Sequence, residues 1–236
     1  MTCLEVFMSS EFILLGIILV LICAGFVSLF LRAFYYKRFT EALVFKGAAS
    51  LCFVILGLVN LLTNTTTLPN ILIFIGLCFG IVGDEVIALC QNFPKYDSLA
   101  FIGGGSFFLV GHVFYILALF NLRAPNVLSM IISFVIIAAL CLLYNHKRQF
   151  LAGNMKISLS LYLSALVLVA SLAIGVFVER VTLGSALFAI GGVLFTISDN
   201  LLFAYKFGKE PRFLQNIALH ATYYLAQILF AFSIAL

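Results

Sequence analysis

No tryptophan, four prolines and few charges occur in the 236 residues. Charged side chains make up 9% of the chain, against about 25% in an ordinary soluble domain. A soluble fold of this length would lack the polar side chains to cover its surface. The same shortage excludes a disordered chain and a nucleic-acid binder, because both depend on charge. Met1 to Glu11 holds no Lys or Arg. The first apolar run therefore lacks the basic start of a signal peptide, its core is too long for one, and it reads as a retained span. There is no C-x-x-C pair. Of the cysteines Cys3, Cys23, Cys52, Cys78, Cys90 and Cys141, five lie inside apolar runs. They read as small buried side chains rather than a disulfide framework or a metal site.

What the sequence has is apolar length. Apolar residues make up 64%, and the mean hydropathy is +1.24. Continuous runs, not alternating ones, favour helices over a β-barrel. Eight runs approach the ~20 residues that a bilayer span needs: 12–31, 42–62, 71–90, 99–120, 125–144, 157–178, 183–207 and 213–236. The breaks between them carry turn residues, as at Asn64 to Asn70, Asn92 to Asp97, Asn121 to Pro125 and Gly208 to Pro211. The expectation is an all-α, polytopic membrane protein forming one eight-helix domain over residues 1–236.

Basic residues set the expected orientation. Arg32, Lys37, Arg38, Lys46, Lys95, Lys147, Arg148, Lys156, Lys206, Lys209 and Arg212 fall on one face, and only Arg123 and Arg180 on the other. The basic face is expected to be cytoplasmic, with both termini outside.

Spans three and seven share an Ile-Gly to Asp spacing. Ile75-Gly76 precedes Asp84 as Ile190-Gly191 precedes Asp199. His112 follows Asp84 by the same interval that separates Gln227 from Asp199. Two parallel four-helix halves are a natural reading. Charge inside a bilayer costs at least ~2.5–3.5 kcal/mol per residue, so an intramembrane carboxylate is a candidate site by default. At 1.5 Å per residue, Asp84 and Asp199 lie ~9–10 Å inside the basic end. Lys46, His220, Tyr223, Tyr224 and Asn200 fall near that level, and His112 and Gln227 lie deeper. The two carboxyls are expected to face one cavity, roughly 4–10 Å apart, the range over which carboxylate pairs act on one bond. Two carboxyls in a dry site resist simultaneous ionisation, so one can serve as acid and the other as base. Glu85, ~100° round the helix from Asp84, is expected to point elsewhere, pairing with Lys46 or reaching toward the surface. Helix pairing through Asp and Lys46 is the plain structural alternative.

Gly83-Asp84, the stretch Gly105 to Tyr115, the stretch Gly192 to Lys206, Tyr223-Tyr224 with Gln227, and Lys46 together resemble the lysoplasmalogenase (YhhN-like) family of polytopic membrane proteins. The similarity runs over nearly the whole chain. Glu85 stands where that family usually has an apolar residue. The resemblance implies hydrolysis of the vinyl ether bond of a lysophospholipid substrate, the lysoplasmalogen, to a fatty aldehyde and a glycerophospho-base. It implies Asp84 and Asp199 as the catalytic pair. Lys46, His112, Tyr115, Asn200, His220, Tyr224 and Gln227 are expected around the substrate, and no metal or organic cofactor is required. The setting would be a bacterial cytoplasmic membrane or an ER membrane. A transporter using the aspartates as a proton relay and an intramembrane aspartyl protease are the competing expectations.

Overall fold

A computed structural model describes residues 3–148, 155–208 and 212–234. Lys209, Pro211 and the last two residues of the eighth expected span lie outside the described residues, as do the side chains of Cys3, Cys90, Lys147, Arg148 and Lys156. Eight helices run α1 Cys3–Tyr35, α2 Phe39–Thr63, α3 Leu68–Asn92, α4 Asp97–Leu122, α5 Val127–Arg148, α6 Met155–Glu179, α7 Leu183–Phe207 and α8 Phe213–Ser233. No strand occurs among the described residues. Each expected span coincides with one helix, and most helices extend a few residues further.

The helix starts are locally encoded. The Thr67 hydroxyl accepts from the Asn70 amide, with Pro69 in the first turn of α3, where a missing N–H costs nothing. Thr182 and Ser185 cap α7 reciprocally, satisfying two amides that have no helical partner. Among the described residues, seven helices are apolar and long enough to cross a membrane, and the chain is a multi-pass membrane protein. The exception is α8. Its 21 residues reach ~31 Å, but one face carries Asn216, His220, Tyr223, Tyr224 and Gln227, all buried. α5 shows the opposite: Leu128, Ile131, Val135, Leu140 and Leu142 are all exposed, an apolar surface suited to lipid.

The helices α2, α3, α4, α6, α7 and α8 close a ring in that order. α1 lies outside against α2 and α8, and α5 lies outside against α6 and α7. The packing repeats at an interval of 115 residues. A Cβ on Gly76 would strike the Tyr115 ring at 2.2 Å, and one on Gly191 would strike Phe230 at 2.9 Å. Each glycine thus admits a ring from the next helix. Two turns on, a Cβ on Gly104 would fall 2.7 Å from the Gly83 carbonyl, while in the second half Ser198 Oγ donates to Leu219 O at 2.9 Å. In the middle of the ring Phe108, Phe195 and Tyr223 meet pairwise, with centroids 5.7–5.9 Å apart.

Candidate functional site

Asp84 is held at the α2–α3–α8 junction. Its Oδ1 lies 2.7 Å from Lys46 Nζ. Ser50 Oγ donates to Oδ2 at 2.6 Å. The Tyr224 hydroxyl stands 3.2 Å from Oδ2 and also 3.2 Å from the Lys46 carbonyl. Lys46 Nζ donates as well to the Asp84 carbonyl. Lys46 and Ser50 sit one turn apart on α2, so both reach the same carboxyl. All four residues are buried. A buried ion pair tolerates its lost hydration only with such added hydrogen bonds.

Asp199 has a different setting. Tyr162 on α6 donates its hydroxyl to Oδ2, and no cation forms an ion pair with Asp199 among the described residues. Asp199 lines a pocket of about 270 Å³ between α4, α6 and α7, with Ile87 contributed by α3. Gly105, Ser106 and Phe108 border it on the α4 side. Ile102, Leu109 and Leu161, also in its lining, are among the exposed apolar residues of the protein, so the pocket opens sideways toward lipid. Asp84 is not among the lining residues.

The other expected residues divide. Tyr224 binds Asp84 directly. Gln227 bridges the hydroxyls of Tyr223 and Tyr115, at 3.2 and 3.4 Å, and Tyr223 donates to Gly80 O at 3.4 Å. His112 bonds the Phe108 carbonyl through Nδ1 at 2.6 Å, and its ring packs against Tyr115, Tyr162 and Phe195. His220 bonds Asn216 O and packs against Phe30 of α1 in a tilted arrangement, with centroids 4.6 Å apart. Neither histidine has a hydrogen bond to an aspartate here. Asn200 donates to Thr196 O and Cys141 Sγ, not toward Asp199. Glu85 is half-buried against Gly47, with no hydrogen bond to Oε1, and forms no ion pair with Lys46.

Ser50, Tyr162 and Phe30 were not legible as site residues, whereas Gly105 opens the stretch on helix four that the family resemblance singled out. Ser50 had one available signal, its spacing of one turn from Lys46. Tyr162 had a weaker one: it lies on the turn of α6 that corresponds to Lys46 in the repeat.

Chemically, a carboxyl bonded to a phenol hydroxyl in the lining of an apolar, laterally open pocket can exchange a proton with an amphiphile. The Asp84 cluster, outside that pocket, is an ion pair with Lys46 held by two hydroxyls. No curated protein sequence and no solved structure matches the chain. The model of the YhhN family matches residues 41–234, which takes in every helix but α1. That family includes lysoplasmalogenases, and the chain belongs to the YhhN family.

Proposed function

We propose that the protein hydrolyses the vinyl ether of a single-chain ether phospholipid, a lysoplasmalogen. One observation carries this: Asp199 is the one carboxyl lining the apolar pocket that opens to the bilayer. A single alkyl chain can enter between α4 and α6 and bring its ether to that carboxyl, with its head group toward the basic end.

The chemistry needs one proton donor and one water. Asp199 transfers its proton to the β-carbon of the enol ether, and the α-carbon becomes an oxocarbenium ion. Water adds to that carbon and returns a proton to the Asp199 carboxylate, giving a hemiacetal. Collapse of the hemiacetal breaks the carbon–oxygen bond and releases the aldehyde and the glycerol alcohol. Tyr162, bonded to Oδ2, fixes the carboxyl so that Oδ1 meets the substrate. Burying an isolated carboxylate is costly, so a carboxyl without a cation suits the donor role. Asp84 serves as a carboxylate charge opposite the developing cation, much as paired carboxylates do in glycoside hydrolysis.

The test is aldehyde release by purified protein in detergent. The wild type should hydrolyse lysoplasmalogen, and Asp199→Asn should lose about 10²–10⁴-fold while staying folded, the typical worth of a general acid–base group. The matched halves favour one competing assignment, a transporter with a proton relay. Solute flux in sealed vesicles without aldehyde release would establish it instead.

A further inference from the structure

The two basic residues of the non-basic end converge on one pocket. Arg123 closes α4 and Arg180 follows α6, 57 positions apart in the chain, yet both line a cavity of about 340 Å³. The loops that begin α3 and α7 form its other walls, with Thr67 and Thr182 in the lining. Both helices therefore point the positive ends of their dipoles at the same space. Below this rim the lining turns apolar, with Ile73 and Phe188.

The arginines are poorly compensated. Arg123 meets Glu179 only at 4.0 Å, with both side chains well exposed, a separation and setting at which an ion pair is worth little. Arg180 forms no ion pair among the described residues. Arginine on this face runs against the charge bias of membrane proteins. Its planar fork matches phosphate oxygens two at a time.

We infer that this outer pocket is a phosphate-binding site, separate from the Asp199 pocket at the other end of the bundle. Arg123 and Arg180 grip the phosphate and the apolar floor receives the start of an attached chain. Two sources share this chemistry, a single-chain phospholipid of the adjoining leaflet and free phosphate, and the lipid fits the apolar floor.

The experiment measures ligand-dependent melting of the full-length protein in a neutral detergent. Dodecyl phosphate, inorganic phosphate and a neutral monoacylglycerol are the probes. Dodecyl phosphate should raise the Tm saturably in wild type and in Asp199→Asn alike. In R123Q/R180Q its Kd should weaken by about tenfold or more, the loss of roughly one charge-assisted contact. R123K/R180K keeps the charge and should bind between the two. Both arginines are surface groups, so the unliganded Tm of each variant should stay near that of wild type. Inorganic phosphate binding as tightly as dodecyl phosphate, with the same arginine dependence, would keep the site and assign it to the free anion. Equal binding of dodecyl phosphate to wild type and R123Q/R180Q would overturn the proposal, as would equal binding of the monoacylglycerol.

Discussion

The two halves of the ring use the same backbone scheme for opposite ends. In the first half, the α2–α8 seam is charged and closed. Lys46 and Asp84 fill it, His220 stands beside them, and Phe30 from α1 covers His220 and lies 5.9 Å from Lys46 Nζ. In the second half, the matching α6–α4 seam forms no ion pair among the described residues and is open. Tyr162, one residue beyond the position equivalent to Lys46, reaches the second aspartate, and Gly105 holds the place of His220 at the 115-residue interval. A Cβ on Gly105 would meet nothing within 4 Å. The outer helix has also moved: α5 packs on α6 and α7, whereas α1 packs on α2 and α8. Neither half is a degraded copy. One holds charge away from lipid, and the other opens a pocket toward it.

Substitutions that erase the difference should have the largest effects. Asp84→Asn leaves Lys46 buried without its counter-ion, which should cost about 3–5 kcal/mol in reversible denaturation from detergent. Lys46→Met with Asp84→Asn makes the first seam neutral like the second, and should recover most of that loss. If the single variant were as stable as wild type, the two seams would not differ in the way described. Next comes closure of the open seam. Gly105→Leu fills the pocket mouth and should lower kcat/KM for lysoplasmalogen by about tenfold or more, on the scale of overpacking a fitted site. Gly105→Ala has room, and should instead raise stability by roughly 0.5–1 kcal/mol. Tyr162→Phe removes the single bond to Asp199 and should reduce kcat by about tenfold, the worth of one bond to a carboxyl, with KM little changed. Smallest is Glu85→Gln, a half-buried residue outside both networks, for which stability should move by no more than about 0.5 kcal/mol.

The fold was readable because lipid imposes length. Each run near 20 apolar residues became a helix, and α8 was still found although its buried polar face lowers its hydropathy. Asp84 and Asp199 stood out as candidates for the same reason, since a carboxylate in an apolar run is costly. What surrounds them did not. Ser50 and Tyr162 are uncharged and common, so nothing in their local sequence distinguishes a hydrogen-bonded hydroxyl from one that points elsewhere. Phe30 is one of 26 phenylalanines, and only packing singles it out. Gly105 ends a run of three glycines, of which Gly104 serves close backbone contact and Gly105 serves empty space. Spacing could not separate those two uses. Counting residues along two helices suggests a shared level for the two aspartates. Their different companions come from which neighbours the ring brings round.

Lys206 and Asp97 form an ion pair that ties α7 to α4 at the basic end, and the rings of Phe101, Phe203 and Phe207 pack just beneath it. This clasp sits over the water-side approach to the Asp199 pocket, while the lateral side is bordered by lipid-facing chains. Supply to such a pocket is two-dimensional. Turnover should follow the mole fraction of substrate in the membrane or micelle, not its amount per volume of buffer. Diluting the substrate with inert lipid at constant bulk concentration should slow the reaction, and adding buffer at constant surface composition should not.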